Sequence, residues 1–161
     1  MTRNLISSFG SKSILESIKK KNSDRKMIIL SDTSENDSFQ LVDFSDRENI
    51  FQSPNRYQVL FESGFSIIGN LFRFDFFELS DDSLKAFDQK IQNWANSNAD
   101  SYDLQNSFLL NPLDGKPSNR ALLTIWNQES NRSTFEVRDL QNIIAPYTNQ
   151  NYFRTIYQVV N

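Results

Sequence analysis

The sequence predicts an α+β fold of the ferredoxin-like type, in a dimeric α+β barrel-type arrangement formed within one chain. Three observations carry this. From residue 70 onward the apolar spacing changes in the order strand, helix, strand, strand, helix, strand, which is the order of a split βαβ unit. The first half follows much of that order in shorter form, with no residue-level repeat between the two. A four-stranded sheet of this kind carries its helices on one face, so its other face must be covered, and a second sheet from the same chain can cover it. On this reading residues 1–63 form an incomplete ferredoxin-like N-terminal half and residues 64–161 a complete ferredoxin-like domain.

The elements follow in order. Residues 3–9 alternate as an extended segment does, until Gly10 and Ser11 punctuate the chain and open a helix with Ile14, Leu15 and Ile18 at helical spacing. Lys19, Lys20 and Lys21 occupy its last turn, where cations suit the negative end of the helix dipole. A solvated helix end is the plain reading of the three lysines, and an anionic docking patch is the functional one. Strands are predicted at 26–31 and 38–44 around the polar loop DTSEND, a short NIFQ segment follows, and Pro54 fits the start of a brief helix carrying Tyr57, Val59 and Leu60. Residues 70–79, NLFRFDFFEL, read as a strand. Ser80 with Asp81 and Asp82 then supplies a hydroxyl N-cap and first-turn acids. Leu84, Phe87, Ile91 and Trp94 recur at helical spacing and form one apolar stripe. Strands at 102–110 and 120–126 are joined through LDGKPSN, a loop of turn formers. Ser133 to Glu136 matches a capping box, and Phe135, Leu140, Ile143 and Ile144 continue it as a helix ending before Pro146. Residues 152–160 close the chain as an alternating strand.

Strand 70–79 raises the functional question. Side chains alternate across a strand, so Phe72, Phe74 and Phe76 share one face while Leu71, Arg73, Asp75 and Phe77 share the other. The phenylalanine face suits the helices, with the Leu84, Phe87, Ile91 and Trp94 stripe lying on it. The Arg73 and Asp75 face then looks into the space between the two sheets. There the pair would serve as polar anchors in an apolar pocket, the arrangement typical of small-ligand sites. The competing reading is a structural ion pair in a partly wet interior, or a solvent-facing strand. Trp94, Trp126 and the phenylalanines read as core, and helix capping with a solvated face explains Glu78, Asp81, Asp82 and Asp88.

Composition narrows the chemistry. The chain has no cysteine and no histidine, which excludes disulfides, thiolate nucleophiles, Ser-His-Asp catalysis and the usual zinc sites. It also removes the two commonest ligands of a haem iron, leaving only Tyr or Met of the familiar kinds, with Tyr147 and Tyr152 flanking the end of the last helix. Net charge is −3 and the pI about 5.0, with no basic run longer than the three lysines, so nucleic acid is not an expected partner. No apolar run approaches the ~18 residues of a membrane span, and the first residues lack the apolar core of a signal peptide. No membrane partner and a cytoplasmic location are therefore expected.

Five words, SFGSKSIL at 8–15, ENIFQSPNRYQVL at 48–60, LLNPLDG at 109–115, LLTIWN at 122–127 and NYFRTIYQVV at 151–160, spread over nearly the whole chain. With them the sequence resembles the antibiotic-biosynthesis-monooxygenase superfamily, and within it the bacterial two-half haem-degrading monooxygenases of the HmoB and TRAP type. The resemblance implies a C-terminal ferredoxin-like domain with an incomplete N-terminal half packed against it. It also implies, for haem-degrading members, an Asn on the first strand of the catalytic domain and a Trp and a haem-ligating His on its last helix. In this chain the Asn position falls near Asp75, with Asn70 a true asparagine earlier in the strand. The Trp position falls near Phe135 or Arg138, Trp126 matches a strand tryptophan of the fold, and the His has no counterpart. The pocket candidates are thus Asn70, Arg73, Asp75, Phe77, Phe135 and Arg138, with no catalytic residue, metal or cofactor assigned; haem is implied by the resemblance and opposed by the missing His. Three functions follow: a monooxygenase-like protein binding a small hydrophobic or planar ligand between its sheets; a cofactor-independent monooxygenase; or a TRAP-like stress or regulatory protein acting through protein contacts. A monomer is expected.

Overall fold

The structure is a computed structural model that describes residues 3–64, 66–98, 103–127 and 133–160, the side chains of 133–138 excepted. The first half contributes strand β1 (Arg3–Gly10), helix α1 (Lys12–Lys21), and strands β2 (Met27–Asp32), β3 (Phe39–Asp43) and β4 (Asn55–Gly64). The second contributes β5 (Leu71–Glu78), α2 (Asp81–Ser97), β6 (Leu104–Pro112), β7 (Asn119–Trp126), α3 (Ser133–Ile144), a 3₁₀ turn (Ala145–Tyr147) and β8 (Phe153–Val159). All eight strands pair antiparallel into a closed barrel in the order β1-β3-β2-β8-β5-β7-β6-β4, with β4 returning to β1. Within it, β4-β1-β3-β2 and β8-β5-β7-β6 are two four-stranded sets with the same internal order, fourth-first-third-second. They meet at two seams, β2 with β8 and β4 with β6. Among the described residues no helix is long and apolar enough to cross a membrane.

An eight-stranded barrel is just wide enough for side chains to fill, and large apolar groups fill this one. Every strand contributes to a single buried cluster that includes Leu5, Leu30, Val42, Tyr57, Phe72, Phe74, Phe108, Leu123 and Tyr157, with Phe76 packed against it. Rings meet inside it at centroid distances of 5.7 Å for Phe44 with Phe108 and for Phe74 with Tyr157. This corrects the expected faces of β5. Phe72, Phe74 and Phe76 point into the barrel, whereas Arg73, Asp75 and Phe77 point outward, toward the helices. Both faces of β5 are buried, so burial alone does not distinguish them. The wide interior takes the large rings, while the helix side supplies polar partners for the charges. The α2 stripe accordingly packs on Phe77, Leu109, Leu122 and Trp126, together with Leu140 and Ile144 of α3.

A second correction concerns residues 55–60, which are strand and not helix. Tyr57 pairs with Leu5 of β1 and Pro112 of β6, and Val59 with Arg3 and Leu110. Two flanking strand edges that would otherwise be left open hold this segment extended. Pro54 precedes the strand, where its missing N–H removes no ladder bond. A register shift between Val59 and Phe61 sets Leu60 outward, which explains how an alternating strand carries three consecutive apolar side chains. At the end of β4, Gly64 has φ of +137°, and a Cβ there would lie 2.3 Å from the Gln105 carbonyl oxygen. Ser80 takes the extended N-cap conformation before α2, but its hydroxyl lies 2.9 Å from Ser83 Oγ and caps no backbone N–H.

The first set has one helix where the second has two. Helix α1, capped by Ser11 Oγ accepting from the Ile14 N–H, buries Leu15 on Ile6, Met27, Ile29 and Leu41. In place of a second helix, the segment between β3 and β4 lays Phe51 on the same cluster. Asn49 brackets that phenylalanine, its amide donating to the Phe51 carbonyl at 2.8 Å and accepting from the Phe51 N–H at 2.9 Å. The buried Arg25 guanidinium ties the segment down, donating to Asp43 at 2.9 Å and to the Glu48 carbonyl at 2.8 Å.

Candidate functional site

The polar centre of the second set lies on the helix side of β5. Arg73 and Asp75, two residues apart, project from the same face at 3% and 0% exposure. Arg73 Nε donates to Asp75 Oδ2 at 2.8 Å and Arg73 Nη2 to Oδ1 at 3.0 Å, a bidentate pair. The Tyr152 hydroxyl, brought in by the turn before β8, donates to Asp75 Oδ1 at 2.5 Å. From α3, Gln141 turns its amide oxygen to accept from Arg73 Nη2 at 2.8 Å and from Arg154 Nη1 at 3.1 Å. The register places Arg73 opposite Thr124 of β7, and Thr124 opposite Ser107 of β6. Thr124 Oγ1 accepts from Trp126 Nε1 at 2.7 Å, and the buried Ser107 hydroxyl has no hydrogen-bond partner among the described residues.

The Tyr152 phenol is pushed up to about 12, first by burial and then by the Asp75 carboxylate, with Arg73 partly opposing. The group therefore keeps its proton and serves as a donor. Among the described residues this set does not fit a haem iron. Both Asp75 oxygens are engaged, Tyr152 is committed to one of them, and the chain contains no His or Cys. Tyr147 packs edge-on against Phe87 at 5.0 Å, with the Lys90 ammonium over its ring. No group of three or more acidic side chains among the described residues could hold a metal ion.

The structure brings Arg73, Asp75 and Phe77 together. Phe77 packs on Phe87 at 4.7 Å and on Tyr152 at 5.2 Å, closing the network from the β5 end. Asn70 stands apart and exposed ahead of β5, its backbone N–H donating to the Trp126 carbonyl at 2.9 Å. Phe135 and Arg138 belong to α3, but their side chains lie outside the described residues. Sequence reasoning missed Gln141 and Arg154. Gln141 had a signal in the sequence, lying three residues before the apolar Ile144 and hence beside the apolar stripe of α3, whereas Arg154 had none, since only the β5–β8 register sets it opposite Asp75.

Two recesses open at opposite ends of the barrel. The one at the C-terminal end of β5, ≈ 210 Å³, is lined by Tyr57, Phe76, Arg120 and Phe153 among others. The one at the N-terminal end of β5, ≈ 790 Å³, draws on both sets of strands, with Met27 and Ile28 from one side and Asn106 and Val159 from the other.

Closed barrel, paired ferredoxin-like strand orders and outer helices together define an α+β fold in which two ferredoxin-like strand sets of one chain close an eight-stranded barrel. No family model matches the chain, and no curated protein matches it. Among solved structures, a major regulator of staphylococcal pathogenesis is similar over 99% of this chain and 100% of its own, with TM-score 0.78 and 19% identity. A ferredoxin-fold protein related to antibiotic biosynthesis monooxygenases, from Listeria monocytogenes 4b F2365, is similar over 100% of this chain and 95% of its own, at TM-score 0.78 and 19% identity. A haem-degrading enzyme from Listeria monocytogenes covers 97% of this chain and 99% of its own, at TM-score 0.72 and 17% identity. At such identities the likeness establishes the fold and leaves function to the site.

Proposed function

We propose that this chain is a monooxygenase-like protein of the antibiotic-biosynthesis-monooxygenase superfamily that binds a small molecule with an apolar or planar body and does not degrade haem. One observation carries the reading. The resemblance implies that haem-degrading relatives use an asparagine on the first strand of the catalytic domain, and near that position this chain has Asp75, fully buried and bound by Arg73 and Tyr152. A fully buried carboxylate that already accepts three hydrogen bonds is fixed in place and shielded from solvent, so the pair and its partners hold α3 and the β8 turn onto the sheet. With the barrel interior packed, the recesses at its two ends are candidate places for a ligand among the described residues. In this reading the chain consists of two units, 1–63 and 64–161, supported by the equal strand order of the two sets. Haem titration tests it. We expect no stoichiometric Soret shift and no reductant-dependent loss of haem; a shift followed by bleaching would overturn the proposal.

The same filled interior favours a second reading, a regulatory protein acting through contacts with other proteins, in line with the likeness to the staphylococcal regulator. Failure of the ≈ 790 Å³ recess to bind any small molecule, alongside a negative haem titration, would move the conclusion to this reading.

A further inference from the structure

We propose that the recess at the N-terminal end of β5 binds an anionic amphiphile, a single carboxylate-like head on an apolar body, with Lys19 and Lys26 recognising the charge. This rests on the ligand-binding reading above and gives it a place and a chemistry. At ≈ 790 Å³ the recess falls within the ~300–1,000 Å³ of small-molecule sites. Its floor is apolar, built from Ile28, Ile67, Val159 and Val160.

Four cations line the recess, Arg3, Lys19, Arg25 and Lys26, against one carboxylate, Glu62. The two guanidinia are already committed. Arg3 pairs with Glu62, donates to the Phe44 carbonyl at 3.2 Å and lies over the Phe108 ring. The Arg25 side chain is buried and held by Asp43 and Glu48. Glu62 is engaged a second time, accepting from Asn106 Nδ2 at 3.1 Å. The ammonium groups of Lys19 and Lys26 make no ion pair among the described residues, although the protein as a whole carries a charge of −3. Two unneutralised cations beside an apolar floor raise the local concentration of anions, and of apolar anions most.

The recess also has room for a long body. Beside it lies a hollow of ≈ 440 Å³ that shares Lys19, Arg25 and Val160 with it and is lined further by Lys20, Ile29 and the Glu16 carboxylate. The lysine-rich end of α1 thereby becomes one wall of a site, a role beyond complementing the helix dipole.

The test uses the full chain, with decanoate and decan-1-ol as probes, calorimetry for affinity, and methyl chemical shifts for place. We expect decanoate to bind more tightly than decan-1-ol and to shift the methyl signals of Ile28, Ile67, Val159 and Val160. The double variant Lys19→Gln/Lys26→Gln should weaken decanoate by about fivefold, the size expected of two exposed charge contacts, and leave decan-1-ol unchanged. The proposal is overturned if decanoate does not bind, if it binds no better than the alcohol, if its shifts fall elsewhere, or if the double variant binds it as the wild type does. A chain that ignores decanoate and still fails to degrade haem loses this assignment but keeps the non-haem reading. Haem degradation overturns the latter whatever decanoate does.

Discussion

Asp75 accepts three hydrogen bonds at full burial, and every one of its donors comes from a side chain that is itself anchored. Removing one member of such a pair leaves an unpaired charge away from water, so Asp75→Ala should cost about 3–5 kcal/mol in denaturant unfolding. Replacing both charges by apolar groups, Arg73→Met with Asp75→Leu, should cost clearly less than either truncation alone; equal or additive losses in a double-mutant cycle would contradict a coupled structural pair. Tyr152 gives the same network a pH signature. Its phenol rises from 10.0 to about 12 on folding, mainly by burial and then by Asp75, so above pH 10 the folded state holds a proton the unfolded state has lost. Its stabilising contribution is full below pH 10 and lost as pH rises toward 12. Tyr57, also pushed up to about 12, and Tyr157, raised by burial, act in the same direction. Tyr152→Phe should therefore flatten part of the alkaline fall in unfolding free energy, and an unchanged slope would argue against a phenol held protonated by burial and by Asp75. The alternation that puts Arg73 and Asp75 on one side of β5 was legible in the sequence. Which side that was could not be read, because Phe72 and Phe77 are both buried and only the partners on α3 and the β8 turn distinguish the faces.

At the scale of elements, the strands and helices with strong periodicity emerged where their spacing placed them, and β4 did not. Its helix-like start after Pro54 reflects local preference, whereas two neighbouring strands decide the conformation, and neither is visible from residues 54–60 alone. Gly64 marks where that strand is pressed hardest. A side chain there meets both an unfavourable φ of +137° and the backbone of β6 at 2.3 Å, so Gly64→Ala should destabilise by about 1–3 kcal/mol and lower the melting temperature measurably. A neutral outcome would mean the β4–β6 seam can yield there. The segment before β4 makes the complementary point. Phe51 covers sheet that a second helix would cover in a complete ferredoxin-like unit, and Phe51→Ala should cost about 3–5 kcal/mol by leaving Ile29 and Leu41 less covered. A loss below 1 kcal/mol would show that the segment merely crosses the sheet.

The whole molecule follows from how the two sets are joined. Each seam pairs the second strand of one set with the fourth strand of the other, β2 with β8 and β4 with β6, so the two sets are related by an approximate two-fold exchange. Among the described residues closure leaves no free sheet edge, which removes the commonest route to edge-to-edge association. The full chain should therefore sediment as a monomer of 18.8 kDa. Cutting the chain in two exposes what closure hides. A fragment of residues 64–161 would present β6 and β8 as open edges and Phe72, Phe74, Phe108 and Leu123 as an apolar face. Because the exchange is approximately two-fold, a second copy can offer β8 to β6 and β6 to β8 and rebuild a barrel of the same strand order. The fragment should accordingly be dimeric or insoluble in sedimentation equilibrium, and unfold at a concentration-dependent midpoint if dimeric. A folded, soluble monomer of 64–161 would instead mean that the interior cluster of the second set is self-sufficient, and that the first half is a cover on a stable domain and no structural equivalent of a second subunit.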